Sequence, residues 1–300
     1  MTSQKQHGQK VQRKKEKMKK IICLILALTM MCGAMFALTS CGGADTKVAV
    51  QAGTTSEAYA KVLKGVEVVS HETFPNAAND MKNGNADYVF CDKTTALSLC
   101  KEISGLKIVD IALSSENYGI GIDPTQAGLK AQIDAILEDK AAEIEAIKEK
   151  YMNGDEASYV GVESATKDSA KAAEQLVVAT NAEFAPWEYK IGNKFYGIDM
   201  EIAQILADEL GMELVIDDMA FEAVVDAVGK HNIDIAMSGI TITAERLDII
   251  NFSTPYYVEA IVLVCVEDDY ANFASAGTVV DVLNVICYPA ESDSASEEEE

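Results

Sequence analysis

Short β-branched runs alternate with helical periodicity through the first third of the chain. Lys47-Val-Ala-Val-Gln51, Val66-Glu-Val-Val69 and Asp87-Tyr-Val-Phe90 read as strands. The pattern from Gly53-Thr54-Thr55 to Leu63, then Pro75–Lys82 and Thr94–Lys101, reads as helices, with Asn83-Gly84 closing the second. Single helices between strands predict βαβ units and a parallel sheet. Leu106–Ile111 and Tyr118–Ile122 are further strands, and Ala127–Tyr151 is a long helical stretch broken near Asp139-Lys140. After a polar, weakly patterned stretch over 153–173, the rhythm returns. Leu176–Thr180, Glu213–Ile216, Asp234–Met237 and Ala260–Val266 are strand-like. Asp199–Leu210 is an amphipathic helix with Asp199 as its N-cap and Gly211 as its stop, and Phe221–Val228 is another helix. From Asp268 the pattern fades into a Ser/Asp/Glu tail, with Val279–Cys287 as its one apolar stretch. The expectation is an α/β fold of two lobes.

Open α/β sheets bind ligands beyond the carboxyl ends of their strands, so the residues that follow each strand carry the candidate chemistry. Asp234–Met237 empties into Ser238-Gly239-Ile240-Thr241-Ile242-Thr243-Ala244-Glu245-Arg246. Hydroxyls, helix-start amides and a guanidinium suit a carboxylate. Gly53-Thr54-Thr55 follows the first strand, Asp92 the third, and Asn181–Tyr189 the strand Leu176–Thr180. One carboxylate for an ammonium, donors for a carboxylate, and aromatic faces point to an α-amino acid. Each residue also has a structural alternative. Arg246 could be a solvated helix residue paired with Glu245 or Asp248, Asp92 and Thr54 could be helix caps, and Phe184, Trp187 and Phe221 could be core.

Charge narrows the classes. The chain carries 25 basic against 48 acidic residues, a net of −23. Lys5, Lys10, Arg13, Lys14, Lys15, Lys17, Lys19 and Lys20 all precede residue 21, so the rest is more acidic still. Such a body repels phosphate backbones, which excludes nucleic acid as a partner. The basic start leads into apolar Ile21–Leu38 and then Leu38-Thr39-Ser40-Cys41-Gly42. This resembles a bacterial lipoprotein signal, with Cys41 as the lipidated residue and a membrane anchor through that lipid; a membrane-spanning N-terminal helix is the alternative. Of seven cysteines, Cys91, Cys100, Cys265 and Cys287 belong to the body, an even number whose pairing stays open. No His/Cys spacing suggests a metal, no cofactor motif is present, and three histidines leave little for His-based catalysis.

Asn181–Tyr189, Gly197-Ile198-Asp199, Ser238–Arg246 and Phe252-Ser-Thr-Pro-Tyr-Tyr257 resemble one lobe of the polar amino-acid binding proteins of bacterial ABC importers, solute-binding family 3. Val48–Thr55 and Gly84–Asp92 resemble the other lobe. The resemblance implies a two-lobed, Venus-flytrap fold of the periplasmic-binding-protein type. It also implies roles: Arg246 and Thr241 on the ligand carboxylate with Thr55 from the opposite lobe, the Gly239 backbone and Asp92 on the ammonium, Phe184 and Phe221 flanking. Asn181 and Glu183 would read the ligand side chain.

The family runs first lobe, second lobe, then back to the first. Here the second-lobe pattern comes first, so the lobes are expected in circularly permuted order. The organisation expected is a signal segment 1–40, a second-lobe-like region with returning helices 41–152, a linker 153–173, a first-lobe-like region 174–266, and an acidic tail 267–300. The function implied is that of a lipid-anchored, monomeric receptor outside the cytoplasm, not an enzyme, which closes on a free, polar amino acid and delivers it to an ABC permease. The alternatives are an enzyme on the same frame, such as a cyclohexadienyl dehydratase, for which Glu183 is the candidate acid or base, or a non-transporting sensor or inactive rearranged product.

Overall fold

Residues 46–230 and 232–288 are described by a computed structural model. The expected signal segment, the lipidation candidate Cys41 and the last stretch of the tail, 289–300, lie outside the described residues. By contacts the chain divides into a main unit of residues 43–242 and 249–300 and a second unit to which residues 243–248 belong.

The main unit opens with β1 (Thr46–Gln51), α1 (Thr55–Lys61), β2 (Val66–His71), α2 (Phe74–Lys82), β3 (Tyr88–Asp92), α3 (Lys93–Glu102) and β4 (Leu106–Val109). Thr54 and Thr73 start the first two helices by accepting the backbone N–H groups of Glu57 and Asn76. Then come β5 (Glu116–Tyr118), β6 (Gly121–Ile122), α4 (Ala127–Asp139) and α5 (Ala141–Asn153). The second half continues with β7 (Gln175–Thr180), β8 (Glu183–Phe184), β9 (Glu188–Ile191), β10 (Lys194–Tyr196), α6 (Ile198–Leu210), β11 (Glu213–Asp218), α7 (Phe221–Ala227) and β12 (Ile235–Ala236). The unit of residues 243–248 holds α8 (Ala244–Leu247). The main unit ends with β13 (Asn251–Phe252), β14 (Tyr257–Glu259), β15 (Ile261–Val266) and α9 (Val279–Cys287).

Two five-stranded sheets organise these elements, in the orders β2-β1-β3-β15-β4 and β11-β7-β12-β6-β13. We call them the leading and the trailing lobe. In each, the first strand lies parallel between its two neighbours, and one antiparallel strand comes from the other half of the chain: β15 enters the leading sheet and β6 the trailing one. The backbone crosses between lobes along the antiparallel pair β5–β14, in register Tyr118↔Tyr257 and Glu116↔Glu259. Strands β1, β3, β7 and β15 are buried almost throughout, as expected for sheets covered on both faces, which is why they read as continuous apolar runs. One buried cluster runs from Phe74, Ala78 and Val89 in the leading lobe to Leu176, Ile202 and Leu206 in the trailing lobe. Burying each large aliphatic side chain contributes about 1.5–3 kcal/mol.

Several expectations need correction. Tyr118–Ile122 is not one strand: β5 begins earlier, at Glu116, and the chain leaves it for the trailing sheet before β6. Asp199 is not the N-cap of α6. That place is Gly197, at φ +122°, where a Cβ would lie 2.2 Å from the Trp187 carbonyl oxygen, and Asp199 is buried in the first turn. Residues 267–287 are not a frayed tail. A 3₁₀ segment, Glu267–Phe273, sets the Phe273 ring edge-on to Tyr88 at 5.5 Å, and α9 buries Val282 and Ile286 in the leading lobe. Thr278 and Asp281 start α9 with a reciprocal capping box. The Thr46 hydroxyl donates to the Ile286 carbonyl at 2.6 Å, so the start of β1 and the end of α9 lie side by side.

The stretch 153–173 is held to the trailing lobe. Val162 exchanges backbone bonds with Phe195, and Ala165 N–H donates to the Leu214 carbonyl. Cys91, Cys100, Cys265 and Cys287 are free thiols. Among the described residues, no helix is long and apolar enough to cross a membrane.

Candidate functional site

At the carboxyl end of β1, Gly53 takes φ +77° and turns the chain into α1. The Thr54 hydroxyl donates to the Gln51 carbonyl and accepts the Glu57 N–H, so Thr54 serves the turn itself. Its neighbour Thr55 is half-buried and donates from Oγ1 to Glu116 Oε2 at 2.7 Å. Thr241, beyond β12 of the trailing lobe, donates to the same oxygen at 2.6 Å. Its backbone is pinned to β5: Gly119 N–H donates to the Ile240 carbonyl, and Ile242 N–H to the Asn117 carbonyl. Two hydroxyls, one from each lobe, therefore converge on one carboxylate oxygen. The other oxygen, Glu116 Oε1, accepts from Ser114 Oγ at 3.1 Å.

Asp92 ends β3 and occupies the N-cap position of α3, yet its side chain makes no capping bond. It is 5% exposed, and its Oδ1 is buried without a hydrogen-bond partner among the described residues, as is the Tyr118 hydroxyl. Glu259, in register with Glu116, accepts from the Thr94 N–H and hydroxyl and from the Ala260 N–H. Burial first, and then the charges of Glu116 and Glu259, hold the Asp92 carboxyl well above the usual carboxylate range. Burial also raises Glu259, and it raises the Tyr118 hydroxyl together with the same three carboxylates. Asp92, Glu116, Glu259 and Tyr118 thus share one neighbourhood of low polarity. It is suited to a positive group with hydrogen-bond donors, which would lower the cost of charging Asp92.

Aromatic residues wall this neighbourhood. Trp187 is fully buried and donates from its indole N–H to Thr94 Oγ1 at 2.8 Å, linking the trailing lobe to the leading one. Its ring meets Tyr118 and Tyr257 edge-on at 5.0 and 4.7 Å. Phe184 is buried against Phe74 of the leading lobe at 5.7 Å, and Gly239 lets it approach: at φ +51°, a Cβ there would sit 2.6 Å from the Phe184 ring. Asn181 Oδ1 accepts from Gln51 Nε2 at 2.9 Å across the lobes, and its Nδ2 donates to the Met219 carbonyl. Glu183 is exposed, and Phe221 is the half-buried first residue of α7. Within its own unit, Arg246 is half-buried on α8 and donates its backbone N–H to Thr243 Oγ1, the cap of that helix, at 3.2 Å.

A second pair of acids lies beneath the turn at Gly239. Asp199 accepts the Gly239 N–H at 2.9 Å and the Tyr256 hydroxyl at 2.7 Å, while Glu188 accepts the Ser238 hydroxyl at 2.6 Å. Burial pushes Asp199 up to about 6 and Glu188 well above its ordinary range, the latter helped by the Asp199 charge. These carboxyls position the 238–241 turn.

The main unit therefore brings together Thr55, Thr241 and Asp92 with Glu116, and it places Gly239, Phe184 and Asn181 on the trailing-lobe side of the same lobe-to-lobe contacts. Sequence reasoning missed Glu116 and Glu259. Their signal was an acid two positions from a tyrosine in a short strand, Glu116-Asn-Tyr118 and Tyr257-Val-Glu259, with both members on one face. It also missed Glu188 and Asp199 as supports of Ser238 and Gly239.

Residues 176–286 match the profile of the bacterial extracellular solute-binding proteins, family 3. The arginine-binding extracellular protein ArtP of Bacillus subtilis is 33% identical over 105 residues, 35% of this chain and 41% of that protein. The ABC transporter arginine-binding protein 1 of Escherichia coli is 32% identical over 107 residues, covering 35% of this chain and 44% of that protein. The cyclohexadienyl dehydratase of Pseudomonas aeruginosa is 38% identical over 82 residues, 27% of this chain and 31% of the enzyme. The matched stretch spans less than half the length of each of these relatives.

Proposed function

From a stretch, 176–286, that carries the family-3 solute-binding sequence, we propose that the chain is an extracytoplasmic receptor for a free polar amino acid, preferably one with a cationic side chain. The observation that carries this reading is the convergence of Thr55 and Thr241, from opposite lobes, on a single carboxylate oxygen at 2.7 and 2.6 Å. A ligand carboxylate placed on these hydroxyls is held by both lobes only when they are closed, which couples binding to a hinge motion about β5 and β14. Asp92 takes the ammonium. Glu116 and Glu259 favour a further positive charge, in keeping with relatives named as arginine-binding proteins. Arg246, five residues beyond Thr241, is assigned to the carboxylate on the sequence pattern alone.

The lobe order is read as a circular permutation of the family's usual order. The bond from Thr46 to Ile286 supports it, because the two chain positions that the usual order would join are neighbours. Lipidation at Cys41 and delivery of the bound amino acid to a membrane permease complete the reading; both rest on the resemblance. The dehydratase match favours a second reading, in which Asp92, with a raised pKa and an Oδ1 that lacks a hydrogen-bond partner among the described residues, acts as an acid on a cyclic substrate.

A thermal-shift screen of the exported body against the common amino acids tests the first reading. Arginine, lysine or histidine is expected to raise the melting temperature, and Asp92→Asn is expected to abolish most of that rise. Hydrogen bonds to a charged group contribute about 1.5–3 kcal/mol each, so Arg246→Ala should be comparably damaging to the shift while the protein stays folded. A screen in which no amino acid stabilises the protein refutes the reading, and turnover of a cyclic amino-acid precursor would select the enzyme.

A further inference from the structure

The two hydroxyls assigned above to the ligand's carboxylate already serve a carboxylate that belongs to the chain. Glu116 Oε2 accepts both the Thr55 and the Thr241 hydroxyl protons, and its partner oxygen accepts from Ser114. A threonine hydroxyl has one proton to donate. Glu116 and a ligand carboxylate therefore cannot hold the same two donors at once. The side chain is set for this position: Glu116 lies on the crossing strand β5, fixed in register opposite Glu259, and is 7% exposed. The contact is also a tie between lobes, since Thr55 rides on the leading lobe and Thr241 on the trailing one. It runs alongside Gln51–Asn181, Trp187–Thr94 and Phe74–Phe184, which join the same two lobes.

We propose that Glu116 is a built-in competitor of the ligand: a tethered carboxylate that draws the lobes together through Thr55 and Thr241 and must leave both hydroxyls before an amino acid's carboxylate can take them. The tethered group has a high effective concentration, so it discriminates against weak ligands. Once displaced it loses those donors while staying close to Asp92 and Glu259, a state that positive charge on the ligand relieves. Competition at the hydroxyls rejects weak ligands, and the exposed charge of the displaced carboxylate makes Glu116 a specificity-determining residue for cationic amino acids.

This inference rests on the receptor reading, and the experiment keeps the two separable. The full chain and its Glu116→Ala and Glu116→Gln variants are titrated calorimetrically with arginine and with agmatine, which keeps the amine and guanidinium but lacks the carboxylate. Glu116→Ala is expected to bind arginine at least about tenfold more tightly while binding agmatine no better than the parent, with Glu116→Gln between the two. A merely structural role would move both ligands in the same direction. Arginine binding that is unchanged or weaker in Glu116→Ala overturns the proposal, as does equal tightening of arginine and agmatine. Small-angle scattering of the same proteins without added amino acid gives a ligand-independent arm. Glu116→Ala should have the larger radius of gyration, and an equal radius overturns the tie. If no amino acid binds the parent, the receptor reading fails, and scattering alone decides whether Glu116 holds the lobes together.

Discussion

Asp199 illustrates how a buried acid can serve a turn and impose a pH dependence. It holds Gly239 N–H and the Tyr256 hydroxyl, and burial pushes its pKa up to about 6 from an ordinary 3.8. A folded-state value above the unfolded one means that the native protein binds the proton more tightly. The associated stability is fully present below about pH 4 and is lost as the pH rises through 6. The rise from 3.8 to about 6 corresponds to about 3 kcal/mol. In urea titrations at pH 4 and 7.5, the stability of the parent relative to Asp199→Asn is expected to fall by about that amount between the two conditions; a gap independent of pH would show that Asp199 does not carry the proton. Gly239 belongs to the same turn. Gly239→Ala would place a methyl 2.6 Å from the Phe184 ring in a backbone conformation that L-residues rarely adopt, at a cost of about 1–3 kcal/mol. The measurement is the shift in urea midpoint, and a neutral substitution would mean that the turn can relax.

At the scale of elements, α9 gains its stability from tertiary contact. Nine residues are too few for a helix to persist alone in water, yet Val282 and Ile286 are fully buried in the leading lobe. Ile286→Ala should destabilise by about 2–4 kcal/mol and Thr278→Ala, which removes the cap, by about 1 kcal/mol. Denaturation midpoints that ignore both would make α9 an ornament of the fold. This helix also marks where sequence reading ran out. Strands such as Val48–Val50, Val89–Phe90 and Leu176–Val178 were legible because burial on both faces demands unbroken apolar runs. Helix α9 has an apolar stretch of helical length but sits in an acidic tail, and only the burial of Val282 and Ile286 and the bond from Thr46 to Ile286 explain it. The strands β8, β9 and β10 were invisible for a different reason: they are two to four residues long, and the two pairings that define them are closed by the turn through Trp187 and by the Gly192-Asn193 turn rather than announced by alternation. Among the candidate site residues, Thr55, Thr241 and Gly239 stood out in the sequence because each follows a strand, and Asp92 because it ends one. Glu116 and Glu259 lie within strands, where an acid reads as a solvated face until the register Glu116↔Glu259 shows both to be buried.

For the whole molecule, each half of the chain completes the sheet of the other: β15 lies between β3 and β4, and β6 between β12 and β13. Neither half can pair all its strands alone, so the two lobes should unfold together. The proposed permutation makes a direct prediction. A chain that begins at residue 155, runs to 288, continues through a short Gly/Ser joint into residue 46 and ends at 154 restores the family's usual order. It is expected to fold with a thermal midpoint within a few degrees of the parent and with the same ligand preference, because the joint spans neighbouring positions. A chain that stays unfolded would mean that the present order is needed for folding.

The hydrogen bond between Thr46 and Ile286 has a mechanical consequence. The backbone comes into the described structure and leaves it on the same lobe, so anything carried at either end travels with that lobe. In the proposed hinge motion the leading lobe is then the stator and the trailing lobe, with Trp187 and Thr241, the rotor. Fluorophores placed near 46 and 286 would report a constant separation through the hinge cycle, whereas a pair spanning Lys47 and Lys190 would register each stroke.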